Sequence, residues 1–205
     1  MLEHVPAWLG RLLADRRAGA DKLVAAHPDL AAPAGGGLTL TSPAFADGAR
    51  LPERFTADGA GASPPLTWTG APEGAQLALI VEDADAPAAQ PLVHLIVWGL
   101  TGDSGYLAEG ALSDDEADAG LVVGRNSFFR TGWLPPDPPT GHGAHAYAFQ
   151  LFALRPDAPD PGETPGRQAL VEAMAGRVLA ADVLIGTYSR GEEAPVGPAG
   201  VPATA

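Results

Sequence analysis

Alternating apolar and polar residues predict several short strands in the middle of the chain. A period of two, which is the side-chain repeat of a strand, runs through residues 38–42, 66–69 and 144–154. Residues 77–81 and 93–100 are apolar almost throughout and lie between turn residues, so we expect them to form buried central strands. Two shorter segments are also predicted to be extended: residues 54–56 and 183–188.

A helical spacing of apolar residues marks the beginning of the chain. Trp8, Leu9, Leu12 and Leu13 recur at helical intervals with charged residues between them. We therefore predict an amphipathic helical extension over residues 1–30, which ends at a His-Pro pair. Its apolar face needs a partner surface, and three remain open: its own domain, a second copy in a homodimer, or a membrane surface.

A second apolar stripe predicts one helix near the end of the domain. Thr164 is a suitable N-cap, and Pro165 suits the first helical position. The stripe continues from Leu170 to Leu179, and the helix is expected to end at Asp182.

Composition divides the chain into four parts. Its 205 residues include 26 glycines and 21 prolines, which favour turns and short strands over long helices. Residues 31–37 are rich in alanine and glycine, and we interpret them as a linker from 1–30 to a domain at 38–190. Residues 191–205 are predicted to form a disordered tail, and the acidic stretch 102–120 a solvated loop.

Charge and cysteine content narrow the classes of partner. The net charge of −13 repels phosphate backbones, which disfavours nucleic acid and anionic membrane surfaces as general partners. The absence of cysteine excludes a disulfide framework and a thiolate zinc site. Charged residues interrupt the first apolar stretch, and no apolar run approaches the length of a membrane span. We therefore expect a cytoplasmic protein without stable membrane insertion.

A rigid turn followed by a strand presents several polar groups. Residues 134–143 contain four prolines, which fix φ and remove N–H donors, and two glycines, which allow close approach by a ligand. His142 and His145 lie in this frame. A period of two places His145 and Tyr147 on the same face of the following strand.

Three carboxylates follow the first buried central strand. Glu82, Asp83 and Asp85 repel one another unless they are turned apart, hydrogen-bonded or paired with cations. On an extended chain Asp83 and Asp85 share a face, and Glu82 points to the other face. The next strand carries His94 and Trp98, which a regular strand places on one side.

If these strand ends meet, their side chains suit a small anion. A carboxylate can hold an imidazole in one tautomer and favour its protonated form. Two histidines beside loop N–H groups make an anion-binding concavity. Tyr147 can donate a further hydrogen bond, and Trp98 or Trp133 can supply an apolar wall.

Two other interpretations of these residues are weaker. A hydrolase could use Asp83, His94 and His145 as acid and base groups, but the chain has no cysteine and no Gly-x-Ser-x-Gly motif to supply a nucleophile. A metal site would add His142, yet residues 142 and 145 are three apart and do not share a face of an extended strand. We therefore expect neither a metal nor a cofactor.

Several segments together resemble the phosphatidylethanolamine-binding protein family, in its bacterial Raf-kinase-inhibitor-like branch. The matching stretches keep their order and spacing over most of residues 38–190: SPPLTW at 63–68, DADAP at 83–87, HLIVWGL at 94–100, the prolines at 138–139, GHGAHAY at 141–147, and the closing ALRPDAP and VLIGTY. The resemblance implies a mainly β fold, in which a central antiparallel-rich sheet packs on a smaller sheet, with a helix near the C-terminus. The N-terminal helical segment is an addition to that fold.

The resemblance also implies an anion pocket. By match of motif, its ligand-binding residues are Asp83, Pro87, His94, Pro138, Pro139, His145 and Tyr147, with Asp85 in support.

Three positions depart from the family pattern. Ala84 stands where the family often has proline, which is expected to loosen the loop. Asp137 stands where a glycine usually precedes the paired prolines, and its carboxylate would weaken anion binding or select a cationic group. Ala146 stands where an arginine is common, which removes an ion pair or a positive charge near the pocket mouth. By spacing and motif, His142 is expected at the rim or in solvent.

The expected function is that of a non-enzymatic binding protein. Its ligand carries a small anionic head group such as a phosphate, a phosphoester or a carboxylate. The alternative, implied by the family's eukaryotic members, is a regulatory protein that binds and inhibits a partner such as a kinase or a protease. The acidic net charge limits such a partner to basic or neutral proteins.

Overall fold

Two antiparallel sheets make up most of the computed structural model, which describes residues 7–33, 36–100, 102–112 and 121–190. In chain order the strands are β1 (Thr39–Thr41), β2 (Leu66–Thr69), β3 (Gln76–Asp83), β4 (Leu92–Leu100), β5 (Gly105–Leu107), β6 (Val122–Val123), β7 (His145–Leu154) and β8 (Val178–Tyr188). The smaller sheet has the order β1-β2-β5, and the larger sheet has the order β6-β4-β3-β7-β8. The predicted mainly β architecture is confirmed.

Apolar clusters cover both faces of the larger sheet. On one face Leu79 belongs to a buried cluster that includes Trp68 of the smaller sheet. On the other face its neighbour Ile80 belongs to a cluster that includes Leu170 and Val24. Burial on both faces explains why residues 77–81 are apolar throughout instead of alternating with polar residues.

Short helices complete the fold. The described residues contain two α-helices, α1 (Ala7–Leu13) and α2 (Arg167–Met174). Short 3-10 turns occupy Ala20–Lys22, Val24–Ala26, Pro28–Leu30 and Glu53–Phe55. The predicted C-terminal helix exists but is shorter than expected, since its N-cap is Gly166 and Val178 already belongs to β8. The apolar stripe misled the prediction because Val178 packs against the same cluster as Leu170.

Two further secondary-structure predictions are wrong. The predicted strand at 54–56 is instead the end of the 3-10 turn Glu53–Phe55, with Phe55 fully buried and Thr56 as the C-cap. The prediction of a solvated loop over residues 102–120 is wrong for Gly105–Leu107, which pairs with β2. The acidic part of that stretch, residues 113–120, lies outside the described residues, as does the predicted tail at 191–205.

The N-terminal segment packs on its own domain. Its apolar residues Val24 and Leu30 are buried in the cluster beneath α2, whereas Trp8 and Leu12 of α1 are 61% and 71% exposed. No helix among the described residues combines the length and hydropathy needed to cross a bilayer. A contact of α1 with a second copy or with a membrane stays a prediction. The division of the chain at residues 30, 37 and 190 also stays a prediction.

A buried carboxylate fixes the middle of this segment to the sheet. Glu82 Oε2 accepts hydrogen bonds from the Val24 N–H at 2.8 Å and from Gln150 Nε2 at 2.9 Å. Its other oxygen, Oε1, lies 2.6 Å from Arg167 Nε of α2. Glu82 therefore faces the helix side of the sheet, opposite Asp83, as the period of two predicts.

Candidate functional site

The ends of β3, β4 and β7 bring four buried polar side chains together. Asp83 is the last residue of β3 and pairs in register with Tyr147 of β7 and Leu92 of β4. This register places His145, at the start of β7, and His94, near the start of β4, beside Asp83. All four polar side chains of this group are at most 3% exposed: Asp83, His94, His145 and Tyr147.

A β-bulge directs His94 into this group. Val81 pairs with Leu95 and Glu82 pairs with Val93, so His94 is the extra residue on β4. A bulge re-aims a side chain that regular alternation would place on the other face. His94 therefore lies 6.2 Å, between ring centroids, from Trp133.

The prediction that His94 and Trp98 lie on the same side of the strand is wrong for the same reason. Trp98 belongs to the apolar cluster on the α2 side of the sheet. Trp133, which stacks on Phe149 at 5.9 Å, is the tryptophan that stands beside His94.

Three side chains form a hydrogen-bonded chain along one wall of the site. Asp83 Oδ2 lies 2.7 Å from His145 Nδ1, and His145 Nε2 lies 2.7 Å from His142 Nδ1. His142 Nε2 lies 2.8 Å from the carbonyl oxygen of Leu13 and 3.2 Å from that of Arg16. The N-terminal segment thus reaches the site through two backbone carbonyls.

The expectation that His142 lies at the rim or in solvent is wrong, since it is 1% exposed. Strand alternation does not apply between His142 and His145 because β7 begins only at His145. The preceding residues form a turn in which the His142 N–H bonds to the Pro139 carbonyl at 3.0 Å. Gly141 and Gly143 adopt φ values of 83° and 98°, which glycine tolerates, and so let the two rings meet.

Two buried polar atoms of the site have no hydrogen-bond partner among the described residues: His94 Nε2 and the Tyr147 hydroxyl. The two rings meet edge to face, with centroids 5.1 Å apart. His94 Nδ1 lies 2.7 Å from the Leu134 carbonyl, which can only accept, so Nδ1 carries the proton. The free Nε2 is therefore an acceptor in the neutral ring and a donor in the protonated ring.

Burial shifts the protonation of both free groups. It lowers the pKa of His94, against the opposing effect of the Asp83 carboxylate. It raises the pKa of Tyr147 well above its usual value, and the negative charge of Asp83 acts in the same direction. Tyr147 thus keeps its hydroxyl proton, whereas His94 favours the neutral ring.

Arg17 supplies a cation beside Ala146, the position where the resemblance implies an arginine. Asp85 accepts a hydrogen bond from the Ala146 N–H at 2.7 Å, and Arg17 Nη1 lies 2.6 Å from the other Asp85 oxygen. Ala84 is also tied in place, since its N–H bonds to the Ala146 carbonyl at 3.2 Å. A proline at residue 84 could not make that bond, so alanine adds a contact here.

The carboxylate of Asp137 is paired with Arg190. Arg190 Nη2 lies 2.7 Å from Asp137 Oδ1 and 2.7 Å from Asp58 Oδ1. Arg190 Nη1 also donates to the Pro138 carbonyl at 3.1 Å, which fixes the proline turn. Pro138 and Pro139 are buried, whereas Pro87 is exposed in the loop after β3, and their ligand-binding roles stay predictions.

The segments that match known proteins cover this two-sheet region. A model of the family described as phosphatidylethanolamine-binding protein matches residues 41–189. A UPF0098 protein of Mycobacterium tuberculosis is 43% identical over 156 residues, which is 76% of this chain and 72% of that protein. A protein of the same species, named as a candidate lipoprotein LppC, is 41% identical over 161 residues, which is 77% of this chain and 75% of that protein.

Solved structures agree with these matches. A phosphatidylethanolamine-binding protein homologue of Chlamydia trachomatis is 35% identical with a TM-score of 0.67, covering 76% of this chain and 99% of its own. YbcL of Escherichia coli, described as a new member of the mammalian family, is 27% identical with a TM-score of 0.68, covering 75% and 98%. The family match begins at residue 41, so Leu13, Arg16 and Arg17 contact the site from outside the matched region.

Proposed function

This chain belongs to the phosphatidylethanolamine-binding protein family, and we propose that it is a non-enzymatic protein that binds a small anionic head group. The ligand class is a phosphate, a phosphoester or a carboxylate, held where β3, β4 and β7 end. The observation that carries this proposal is the pair of buried atoms without a partner among the described residues, His94 Nε2 and the Tyr147 hydroxyl. Buried polar groups almost always have a hydrogen-bond partner, so a ligand with complementary atoms would complete this pair.

A phosphate monoester that keeps one proton matches both free atoms. Tyr147 donates its hydroxyl proton to a phosphate oxygen, because its raised pKa keeps that proton in place. Neutral His94 accepts the proton of the P–OH group at Nε2. When His94 is itself protonated, both groups donate, which suits a carboxylate or a fully ionised phosphate.

The electrostatic repulsion between a bound anion and the carboxylates around the site is reduced by the partners of these carboxylates. Each has a partner that donates an N–H bond or carries positive charge, which reduces its repulsion of a bound anion. The pairs are Asp83 with His145, Asp85 with Arg17, and Asp137 with Arg190.

The same contacts favour binding over catalysis. One ring nitrogen of His142 is hydrogen-bonded to one ring nitrogen of His145. The other nitrogen of His142 is bonded to the Leu13 carbonyl, and the other nitrogen of His145 is bonded to Asp83. Neither ring is therefore bonded to a serine or threonine hydroxyl in the way that activates a nucleophile. Within the described part of the chain, no cluster of His, Asp and Glu has an arrangement that could hold a metal ion.

A titration followed by NMR of the histidine rings tests the proposal. We expect inorganic phosphate and phosphoethanolamine to shift the His94 ring signals saturably at millimolar concentration, while those of His27, which lies outside the site, stay constant. An unresponsive His94 would rule out the anion site. Turnover of an ester substrate that is lost in His145→Ala would instead favour an enzyme.

An exposed aromatic loop supports the alternative function, a regulatory protein that binds a protein partner. Phe128 and Phe129 are 52% and 84% exposed, and Phe129 adopts a φ of 61°, which is costly for a residue other than glycine. The Asn126 side chain holds the loop by accepting the Phe128 N–H at 3.0 Å. Inhibition of a kinase or protease by the wild type, lost in Phe128→Ser/Phe129→Gly, would support this function, and unchanged inhibition would contradict it.

A further inference from the structure

Residues 13–19, called the latch below, lie across the buried histidine pair. The carbonyl oxygens of Leu13 and Arg16 lie 2.8 Å and 3.2 Å from His142 Nε2. The Ala18 N–H bonds to the Ala86 carbonyl at 2.9 Å, and the Gly19 N–H bonds to the Ala84 carbonyl at 2.8 Å. The latch is thus attached both to the histidines and to the loop that follows β3.

The Asp83–His145–His142 chain ends in acceptors on both sides. Asp83 accepts at one end and the Leu13 carbonyl accepts at the other. The three successive hydrogen bonds, of 2.7, 2.7 and 2.8 Å, need three protons, but two neutral imidazoles beside a carboxylate supply only two. The closed latch therefore requires one additional proton in this chain, whether it lies on a ring or on Asp83.

An open latch has no such requirement. Once the Leu13 and Arg16 carbonyls have left, His142 Nε2 can turn a lone pair to water, and two protons satisfy the two remaining bonds. We propose that the latch closes when the Asp83–His145–His142 chain takes up its third proton and opens when that proton leaves. Closure thus depends on pH through a single proton.

Other charged groups around the chain modify this equilibrium but do not replace the proton. The Asp85 carboxylate, in the loop after β3, favours uptake of the additional proton. Arg17 opposes it, because its guanidinium lies 2.6 Å from Asp85 and 3.4 Å from the His142 carbonyl. Other titratable or charged side chains lie on the elements packed against this chain. Arg11, Asp15 and Arg16 are on the exposed side of the N-terminal segment. His94 and Tyr147 lie inside the site, and the paired Asp137 and Arg190 lie beside the proline turn.

The latch can move while the rest of the segment stays in place. Val24 is fully buried and its N–H is bonded to Glu82, which fixes the chain beyond the latch. The latch ends at Gly19, whose φ of 104° is accessible to few residues other than glycine. Gly19 is therefore a natural hinge.

Closure also changes the charge of the proposed anion site. With three protons, Asp83 and the two imidazoles together have no net charge, whereas with two protons they carry one negative charge. The consequence for ligands rests on the proposed function: an anion binds better to the closed form and, by reciprocity, stabilises it. The latch is then a proton-dependent regulator of that site.

Hydrogen exchange of the full chain without ligand tests the latch itself. We expect the protection factors of the Ala18 and Gly19 amides to fall as pH rises from about 5 to about 8, by at most about tenfold per pH unit because one proton is released. The amide of Leu79, in the centre of β3, serves as the internal reference for global unfolding. Protection of Ala18 and Gly19 that follows Leu79 at every pH would overturn the proposal.

Two variants and one spectroscopic measurement sharpen this test. His142→Phe removes the link to the latch, so we expect low protection at Ala18 and Gly19 without a pH transition. His27→Gln removes a histidine outside the site and should keep the wild-type transition. The nitrogen spectra of the wild-type rings need no variant: the protonation or the tautomer of the histidine pair must change over the pH range of latch opening, and separate ranges would contradict the proposal.

Inorganic phosphate separates the failure of the latch from the failure of the proposed function. If the latch and the anion site both exist, phosphate keeps the Ala18 and Gly19 amides protected to higher pH. A pH transition that phosphate leaves unchanged, with an unresponsive His94, would support the latch and refute the anion site. A His94 response together with pH-independent protection would refute the latch and support the anion site.

Discussion

Arg17 Nη1 lies 2.6 Å from Asp85 Oδ1, and this ion pair joins a segment outside the family match to the loop that follows β3. The other Asp85 oxygen accepts the Ala146 N–H at 2.7 Å, so the guanidinium stands close to residue 146. The N-terminal segment thus places a cation beside Ala146, the position where the family resemblance implies an arginine.

Arg17→Gln should loosen the latch without unfolding the domain. The ion pair is partly exposed, with side-chain accessibilities of 36% for Arg17 and 21% for Asp85. Its loss is therefore expected to cost about 0.5–1 kcal/mol, or about a two- to fivefold drop in Ala18 and Gly19 amide protection. Arg16→Gln, a change of an exposed neighbour, is the matched control, and an equal effect in both variants would contradict a role for the Asp85 pair.

Strand alternation was enough to predict part of this site. It placed Glu82 and Asp83 on opposite faces of β3, and it placed His145 and Tyr147 on the same face of β7, as observed. Both predictions succeeded because these residues belong to regular paired strands. Their side-chain directions follow from sequence position alone.

Three features of the site depend on contacts that alternation does not encode. The bulge at His94 is set by the register of β4 on β3, and the turn before β7 brings His142 onto His145. Arg17 reaches Asp85 across 68 positions of sequence, so no local pattern announces the pair. The prolines and glycines of residues 134–143 do indicate that the strand has not yet begun at His142.

Tyr147→Phe should weaken anion binding without weakening the fold. The Tyr147 hydroxyl is buried and has no partner among the described residues, so its removal also removes an unsatisfied group. We expect the free energy of unfolding to stay constant or rise. The dissociation constant for phosphate should rise about ten- to a hundredfold, as for the loss of one hydrogen bond to a charged ligand.

Tyr188→Phe is the matched control for that change. The Tyr188 hydroxyl donates to Asp58 at 2.8 Å, so its removal should cost about 1 kcal/mol of unfolding free energy. Phosphate affinity should change less than twofold, because Tyr188 lies outside the group formed by His94 and Tyr147. Equal losses of affinity in the two variants would argue that Tyr147 does not contact the ligand.

The burial of His94 should make the protein less stable in mild acid. Burial lowers the pKa of His94 below the ordinary value of 6.5, so the unfolded chain takes up this proton first as pH falls. The corresponding stability is complete above that value and is lost as pH falls towards the folded-state pKa. Urea unfolding at pH 7.5 and 5.5 should therefore show a larger loss in the wild type than in His94→Gln.

Phosphate should reverse this shift. Phosphate bound in its fully ionised form favours the protonated ring and raises the pKa of His94, which a histidine-resolved NMR titration with and without phosphate can follow. Equal acid losses of stability in wild type and His94→Gln would refute the burial effect. A His94 titration that phosphate leaves unchanged would show that burial alone, and no bound phosphate, determines the pKa of this ring.

Arg167→Leu should destabilise the whole domain, because it leaves the carboxylate of Glu82 buried without its cation. Arg167 Nε lies 2.6 Å from Glu82, whose side chain is completely buried. Removal of one partner of a buried pair costs about 3 kcal/mol of unfolding free energy, measured by chemical denaturation. Gln168→Leu, the exposed neighbour on α2, should change stability by less than about 0.5 kcal/mol.

A second substitution distinguishes the lost charge from lost packing in that variant. Glu82→Gln keeps an oxygen for the Val24 N–H, which bonds to Glu82 at 2.8 Å, but removes the buried charge. Added to Arg167→Leu, it should therefore restore about half of the lost stability, since only the desolvation of an unpaired carboxylate is relieved. If Arg167→Leu is no more destabilising than Gln168→Leu, or if Glu82→Gln deepens its loss, the ion pair does not anchor the N-terminal segment.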